Sequence, residues 1–188
     1  MQLFIFRLTR SRSPYSPVMD VTDLILHDHH DQRRLFSYLD DIDGSEVAAL
    51  EAIRSRLSTL LEVHGAAEEA LFYPELLKLG IGAGGQNRTA DEVSDVIKDH
   101  NEIRDAIGEV AQHPVGSDGW RAAVAKTREA NGDHMAEEER DDLADFRRSS
   151  DLRLRHTIAV AFAAFEASHA GGVEVHDTDS GQYVTAHS

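Results

Sequence analysis

Apolar residues recur along most of this chain at spacings of three and four, the period of a helix with one buried face. Leu50, Ile53, Leu57, Leu60 and Leu61 form one such stripe, and Val93, Ile97, Ile103 and Ile107 another. The pattern predicts four helices, from about Val21 to Ile42, Glu46 to Leu79, Asp91 to Gln112 and Asp118 to Phe146. Between them lie "DIDGS", the glycine-rich "GIGAGGQN" and the segment through Pro114, all turn chemistry. A fifth helix, Asp151 to Ser168, contains "IAVAFAAF". No useful length alternates with strand period. The polar, glycine-rich end "GGVEVHDTDSGQYVTAHS" reads as a flexible tail. Short connections between long amphipathic helices give the expected fold class: all-α, an up-down-up-down four-helix bundle with an additional C-terminal helix and flexible termini. The corresponding division is an arm over 1–19, the bundle over 20–146, the extra helix over 147–170 and the tail over 171–188.

The stripes are broken in a regular way. In "HGAAEEALFYP", residues 64 to 74, His64 and Glu68 occupy the face that Leu57 and Leu61 bury. An unpartnered buried polar group costs kilocalories, and a lone charge costs more. The same break recurs elsewhere. "DHHDQR" at 28–33 matches "DHNEIR" at 99–104, and "HGAAEE" at 64–69 matches "HMAEEE" at 134–139, at offsets of 71 and 70 residues. A doubled helical hairpin explains both matches. Each predicted helix then carries one histidine on its apolar face: His29, His64, His100 and His134. At about 1.5 Å per residue His100 and His134 come to similar heights in the bundle, Glu68 and His100 agree across the glycine-rich connection, and His29 is placed by its repeat partner His100. In His-x3-Glu both side chains leave one helical face a turn apart, so Glu68 and Glu138 join the cluster. Something cationic at the centre would account for the burial. Imidazole and carboxylate donors suit iron, manganese or zinc, and two ions sharing bridging carboxylates fit a bundle core.

Composition narrows the function classes. The chain has no cysteine, which excludes disulfides, thiolate metal sites and a cysteine nucleophile. With 34 acidic against 19 basic residues the net charge is −15, which argues against nucleic acid or an anionic membrane as partner. The first 19 residues hold three arginines and no acid and read as a disordered arm, or as sequence upstream of a start at Met19. Leu3 to Phe6 is too short for a signal-peptide core, and no run approaches the length of a membrane span, so the expected location is cytoplasmic.

The "DH" pairs of the first and third helices, with "H-x3-EE" and "LFYP" in the second, resemble the hemerythrin-like (HHE cation-binding) family over roughly residues 20 to 146. The resemblance implies a four-helix bundle with an oxo- or hydroxo-bridged di-iron centre. His29, His64, His100 and His134 would be terminal nitrogen ligands, with Glu68 and Glu138 as bridging carboxylates. Oxygen-carrying relatives have a further histidine where this chain has Arg104, and an aspartate at the position of Glu139. The set therefore resembles the bacterial H–HxxxE–H–HxxxE subgroup, which leaves more positions for a small ligand. The expected function is disproportionation of hydrogen peroxide, with reversible binding of O2 or NO, or oxygen or iron sensing, as the alternative. Arg33 and Arg104 are expected to bond Glu69, Glu139 or the bridging carboxylates, or else to lie at the bundle edge. Tyr73 is expected to be a core aromatic, or else to hydrogen-bond a metal-bound oxygen ligand. His27 and His30 should be exposed, and His169, His176 and His187 too scattered to form a site.

Overall fold

The computed structural model describes residues 18–83, 88–174 and 176–188. The arm expected over 1–19 therefore falls almost entirely outside the described residues. α1 (Val21–Asp41) opens on Asp20, whose carboxylate accepts the Thr22 N–H at 3.0 Å and its hydroxyl at 2.8 Å. Such a cap satisfies donors that a first helical turn leaves free. α2 (Val47–Ala67) runs through a π-helical turn, Glu68–Phe72, into α3 (Tyr73–Leu79). α4 (Thr89–Val110) follows. α5 (Asp118–Glu137), capped by Ser117, runs through a second π-helical turn, Glu138–Asp142, into α6 (Leu143–Ser149). The bundle is thus α1, α2–α3, α4 and α5–α6. No strand occurs among the described residues, and none of their helices is long and apolar enough to cross a membrane.

The apolar core falls into two clusters. One gathers Ile25, Phe72, Tyr73, Leu76, Ile97 and Phe146 with their neighbours. The other gathers Leu35, Phe36, Leu57, Ile103, Ile107 and Trp120. Along α1 the chain passes from Ile25 through buried His29 and Gln32 to Leu35, and along α4 from Ile97 through His100 to Ile103. A polar layer therefore lies between two apolar ones. Each large buried side chain contributes about 1.5–3 kcal/mol, so the layers on either side hold the polar one in place.

The two hairpin turns meet at one end. Gly116 has φ +81°, and a Cβ there would lie 2.3 Å from the Gly44 carbonyl oxygen, so glycine is required for both reasons. α7 (Leu152–Ser168), capped by Asp151, is the expected additional helix and buries Ile158, Ala159 and Phe162 against the bundle. Arg155 of α7 donates to Asp20 at 2.7 Å, which ties α7 to the start of α1.

The end of the chain departs from the sequence reading. The segment 171–188, expected to be a flexible tail, contains α8 (Ser180–His187), capped by Asp179, with Tyr183 buried. Composition hides this because the docking is largely polar, through Ser180, Thr178 and the Tyr183 hydroxyl.

Candidate metal centre

The six residues that interrupt the apolar stripes are all buried, and they meet in the polar layer. α1 supplies His29, α2 His64, α4 His100 and α5 His134, while Glu68 and Glu138 each open a π-helical turn. π-helical turns are rare and concentrate at functional sites. His29 Nε2 lies 3.1 Å from Glu138 Oε2, and His64 Nε2 lies 2.9 Å from Glu68 Oε1. His100 Nε2 is 3.4 Å from Glu68 Oε2 and 3.3 Å from His134 Nε2. His29, His64, Glu68 and Glu138 each bring a ligating atom within 4.8 Å of the others, as do Glu68, His100 and His134. Glu68 belongs to both groups. Glu138 belongs only to the first, and its Oε1 accepts a hydrogen bond from the Tyr73 hydroxyl at 2.8 Å.

A ring of acids surrounds the imidazoles. His29 Nδ1 is 2.9 Å from Glu139, His64 Nδ1 is 3.1 Å from Asp28, and His100 Nδ1 is 2.8 Å from Glu69. His134 Nδ1 faces Asp99 at 4.0 Å, beyond hydrogen-bond reach. Around the bundle, α1 thus orients the histidine of α2, the first π-helical turn that of α4, and the second that of α1. A carboxylate at Nδ1 keeps the proton there and leaves the Nε2 lone pair facing inward. Arg33 pairs with Glu139 at 2.8 Å, and Arg104 pairs with Glu69. Both arginines therefore serve the orienting acids, although Arg33 is half exposed. His27 and His30 face solvent, and His169, His176 and His187 bond only near their own segments.

The inward atoms lack partners. Nε2 of His29 and of His64, both oxygens of Glu68 and Oε2 of Glu138 are shut from water and accept or donate no hydrogen bond. Nitrogen and oxygen lone pairs at this separation repel unless a proton or a metal ion lies between them. The titration of the cluster shows the same demand for positive charge. Burial opposes protonation of His64 and His100, yet Glu68 with Asp28 or Glu69 raises both, His100 to about 9. Burial also opposes ionisation of Glu68, but His64 and His100 hold its carboxyl well below the usual range. Glu138 is raised by burial and by Glu68, and His134 is pushed well down by burial and by His100. A cation among these donors relieves both conflicts, so the donor set fits a metal site of nitrogen and oxygen ligands.

A model of the hemerythrin HHE cation-binding domain matches residues 20–145. The chain belongs to this family. No curated protein and no solved structure matches it. Metal binding is the family's property, and this hemerythrin domain presents two His/Glu groups for it.

Beside the centre lies a cavity of about 20 Å³ that touches His64, His100 and His134. It has room for one water-sized molecule. Leu61, Ile103 and Ile107 give it apolar walls, and Arg104 and Asn131 give it polar edges. Residues beyond the matched span also reach the site. Phe162 of α7 packs edge-on against the His64 ring, with centroids 6.0 Å apart. Glu166, half-buried behind Asp28, is raised to about 8 by burial and by the neighbouring Asp28 carboxylate. Asp28, Asp99 and Glu166 have no place in the sequence reading. The first two stand in the repeated "DH" pairs, a visible signal, whereas Glu166 gives none.

Proposed function

We propose that this layer holds two iron ions and that the loaded protein disproportionates hydrogen peroxide. His29, His64, Glu68 and Glu138 would hold one ion, and Glu68, His100 and His134 the other, with Glu68 shared. The supporting observation is the asymmetry of the two groups: the one with three donors adjoins the small cavity. Fewer protein ligands leave positions for an external molecule, and the cavity limits that molecule to a few atoms. Arg104 turns to Glu69, so it leaves that group one donor poorer than a histidine there would.

In the reaction one peroxide loses two electrons and two protons and becomes dioxygen. The second accepts them as its O–O bond breaks, giving two waters. When bound, the iron pair supplies the redox capacity that couples the two halves. The chain does the rest: carboxylates at Nδ1 fix the imidazoles, Tyr73 holds Glu138, and Leu61, Ile103 and Ile107 restrict access by water. The test is iron quantification per chain followed by oxygen evolution on addition of peroxide. The expected result is two irons, with one dioxygen released per two peroxides consumed. An iron-loaded chain that ignores peroxide and takes up dioxygen or nitric oxide reversibly would replace turnover with a binding role.

A further inference from the structure

Glu69 is held by groups from two directions, α4 and the end of the chain. Its Oε1 faces His100 Nδ1 at 2.8 Å and pairs with Arg104. Its Oε2 accepts from the Thr178 hydroxyl at 3.2 Å, and its backbone carbonyl accepts from the Tyr183 hydroxyl at 2.6 Å. Pro74 explains the free carbonyl. The π-helical register bonds Tyr73 N–H to the Glu68 carbonyl, and the next N–H in that register would belong to Pro74, which has none.

The segment carrying Thr178 is itself pinned beside His100. Asn101 donates to the Thr178 carbonyl at 2.9 Å and accepts its N–H at 3.0 Å. Ser94 and Ser180 hydrogen-bond at 3.2 Å, and Tyr183 is buried in the core cluster of α3 and α4. The equivalent acid of the second repeat has no such cover. The Glu139 side chain is 29% exposed against 13% for Glu69, and its arginine partner Arg33 is half exposed while Arg104 is nearly buried. Residues 176–188 therefore break the symmetry of the repeat at Glu69, and through it at His100.

We propose that residues 176–188 form a strap in which Thr178 and Tyr183 are positioning residues, holding His100 in its coordinating orientation through Glu69. This rests on the metal-centre reading above. The strap lies outside the matched hemerythrin span, so the chain supplies part of its own ligand support from an appended segment. A carboxylate that orients a ligating histidine, as Glu69 does, is typically worth about 10–100-fold in metal affinity, and Thr178 and Tyr183 carry a share of that through Glu69.

The test uses the full chain loaded anaerobically with ferrous iron, and reads the rate of iron transfer to a ferrous chelator. In Thr178→Val and Tyr183→Phe one of two release phases should quicken by about 10-fold, the low end of that range, the other staying as in the wild type. Thr178→Ser keeps the donor and should restore the wild-type rate. A Val184→Ala variant loosens the packing of α8 without touching Glu69, and should leave both phases within about twofold. The strap is overturned if the wild type holds iron while the Val and Phe variants release it at the wild-type rate. It is overturned equally if Thr178→Ser behaves as Thr178→Val, or if Val184→Ala matches Tyr183→Phe, because packing alone then explains the effect. A wild-type chain that takes up no iron overturns the metal-centre reading itself, and the strap with it.

Discussion

Convergence of four Nε2 atoms requires that each imidazole be turned the right way, and single residues decide this. His64 and Glu138 present unpartnered atoms to the centre, whereas His30, one residue past His29, faces solvent. Replacing His64 or Glu138 by alanine should remove roughly one ion per chain, and His30→Ala should change nothing, as metal analysis will show. Equal loss in all three would mean that the buried layer is not the binding site. Asp142 makes a second test. Burial, then Glu138, Glu92 and Asp141, push its carboxyl up to about 8, against about 3.9 for a free aspartate. Between those values the folded chain keeps a proton that the unfolded chain releases, so stability falls as pH rises. Asp142→Asn should therefore stabilise the protein at pH 7, by on the order of 2 kcal/mol, and not at pH 3. Melting curves at the two pH values decide it. The burial of the six inward residues was legible because helical period and the internal repeat together put them on apolar stripes. Asp28, Asp99, Glu69 and Glu139 were harder to assign because each faces a histidine of another helix, a relation that no spacing along one helix encodes.

Among the elements, the two π-helical turns sit where the centre needs the backbone placed with care. Each opens at the second residue of a His-x3-Glu pair, where consecutive glutamates serve different ends: Glu68 and Glu138 face inward, Glu69 and Glu139 face a neighbouring helix's histidine. Apolar spacing read α2–α3 and α5–α6 as single helices, because one extra residue shifts the stripe too little to notice. Chain direction was easier, since "DIDGS" and the segment through Pro114 carry strong turn signals. The structure adds that those two turns touch. Gly116→Ala combines a positive φ with a Cβ at 2.3 Å from the Gly44 carbonyl, so it should cost about 1–3 kcal/mol. The turns are far from the His/Glu layer, on the other side of the Leu35–Trp120 cluster, so iron content should not change. Lower melting temperature with full iron is the expected pair of readings; a parallel loss of iron would show that the hairpin end and the centre are coupled. The tail escaped the sequence reading for the opposite reason. Among its described residues Tyr183 is the one large buried side chain, Val184 packs partly buried beside it, and the rest of its anchorage is hydrogen bonds to Asn101, Ser94 and Glu69.

For the molecule as a whole, protons and metal compete for the same lone pairs, and this links stability to pH. In the metal-free chain His64 and His100 are raised above their ordinary range by the acids around them, His100 to about 9, although burial opposes it. A histidine raised on folding stabilises the fold fully below its unfolded value, about 6.5, and that contribution disappears as pH climbs through the folded value. The metal-free protein should thus lose stability between about pH 6.5 and pH 9. The loaded protein should not, because the ions replace the protons as the positive charge between Glu68 and its imidazoles. Below this range protons compete with the metal and its contribution shrinks; above it the imidazoles are free to ligate. The gap in melting temperature between loaded and metal-free protein should therefore widen steadily as pH is raised across that window. At saturating metal, a hundredfold above the dissociation constant, the added stability is about 2.7 kcal/mol. Thermal scans of both forms at several pH values, at fixed free metal, make the comparison. A gap that stays constant across the window would mean that the ions are held by groups other than these histidines, and a gap of zero would mean that the buried layer holds no metal.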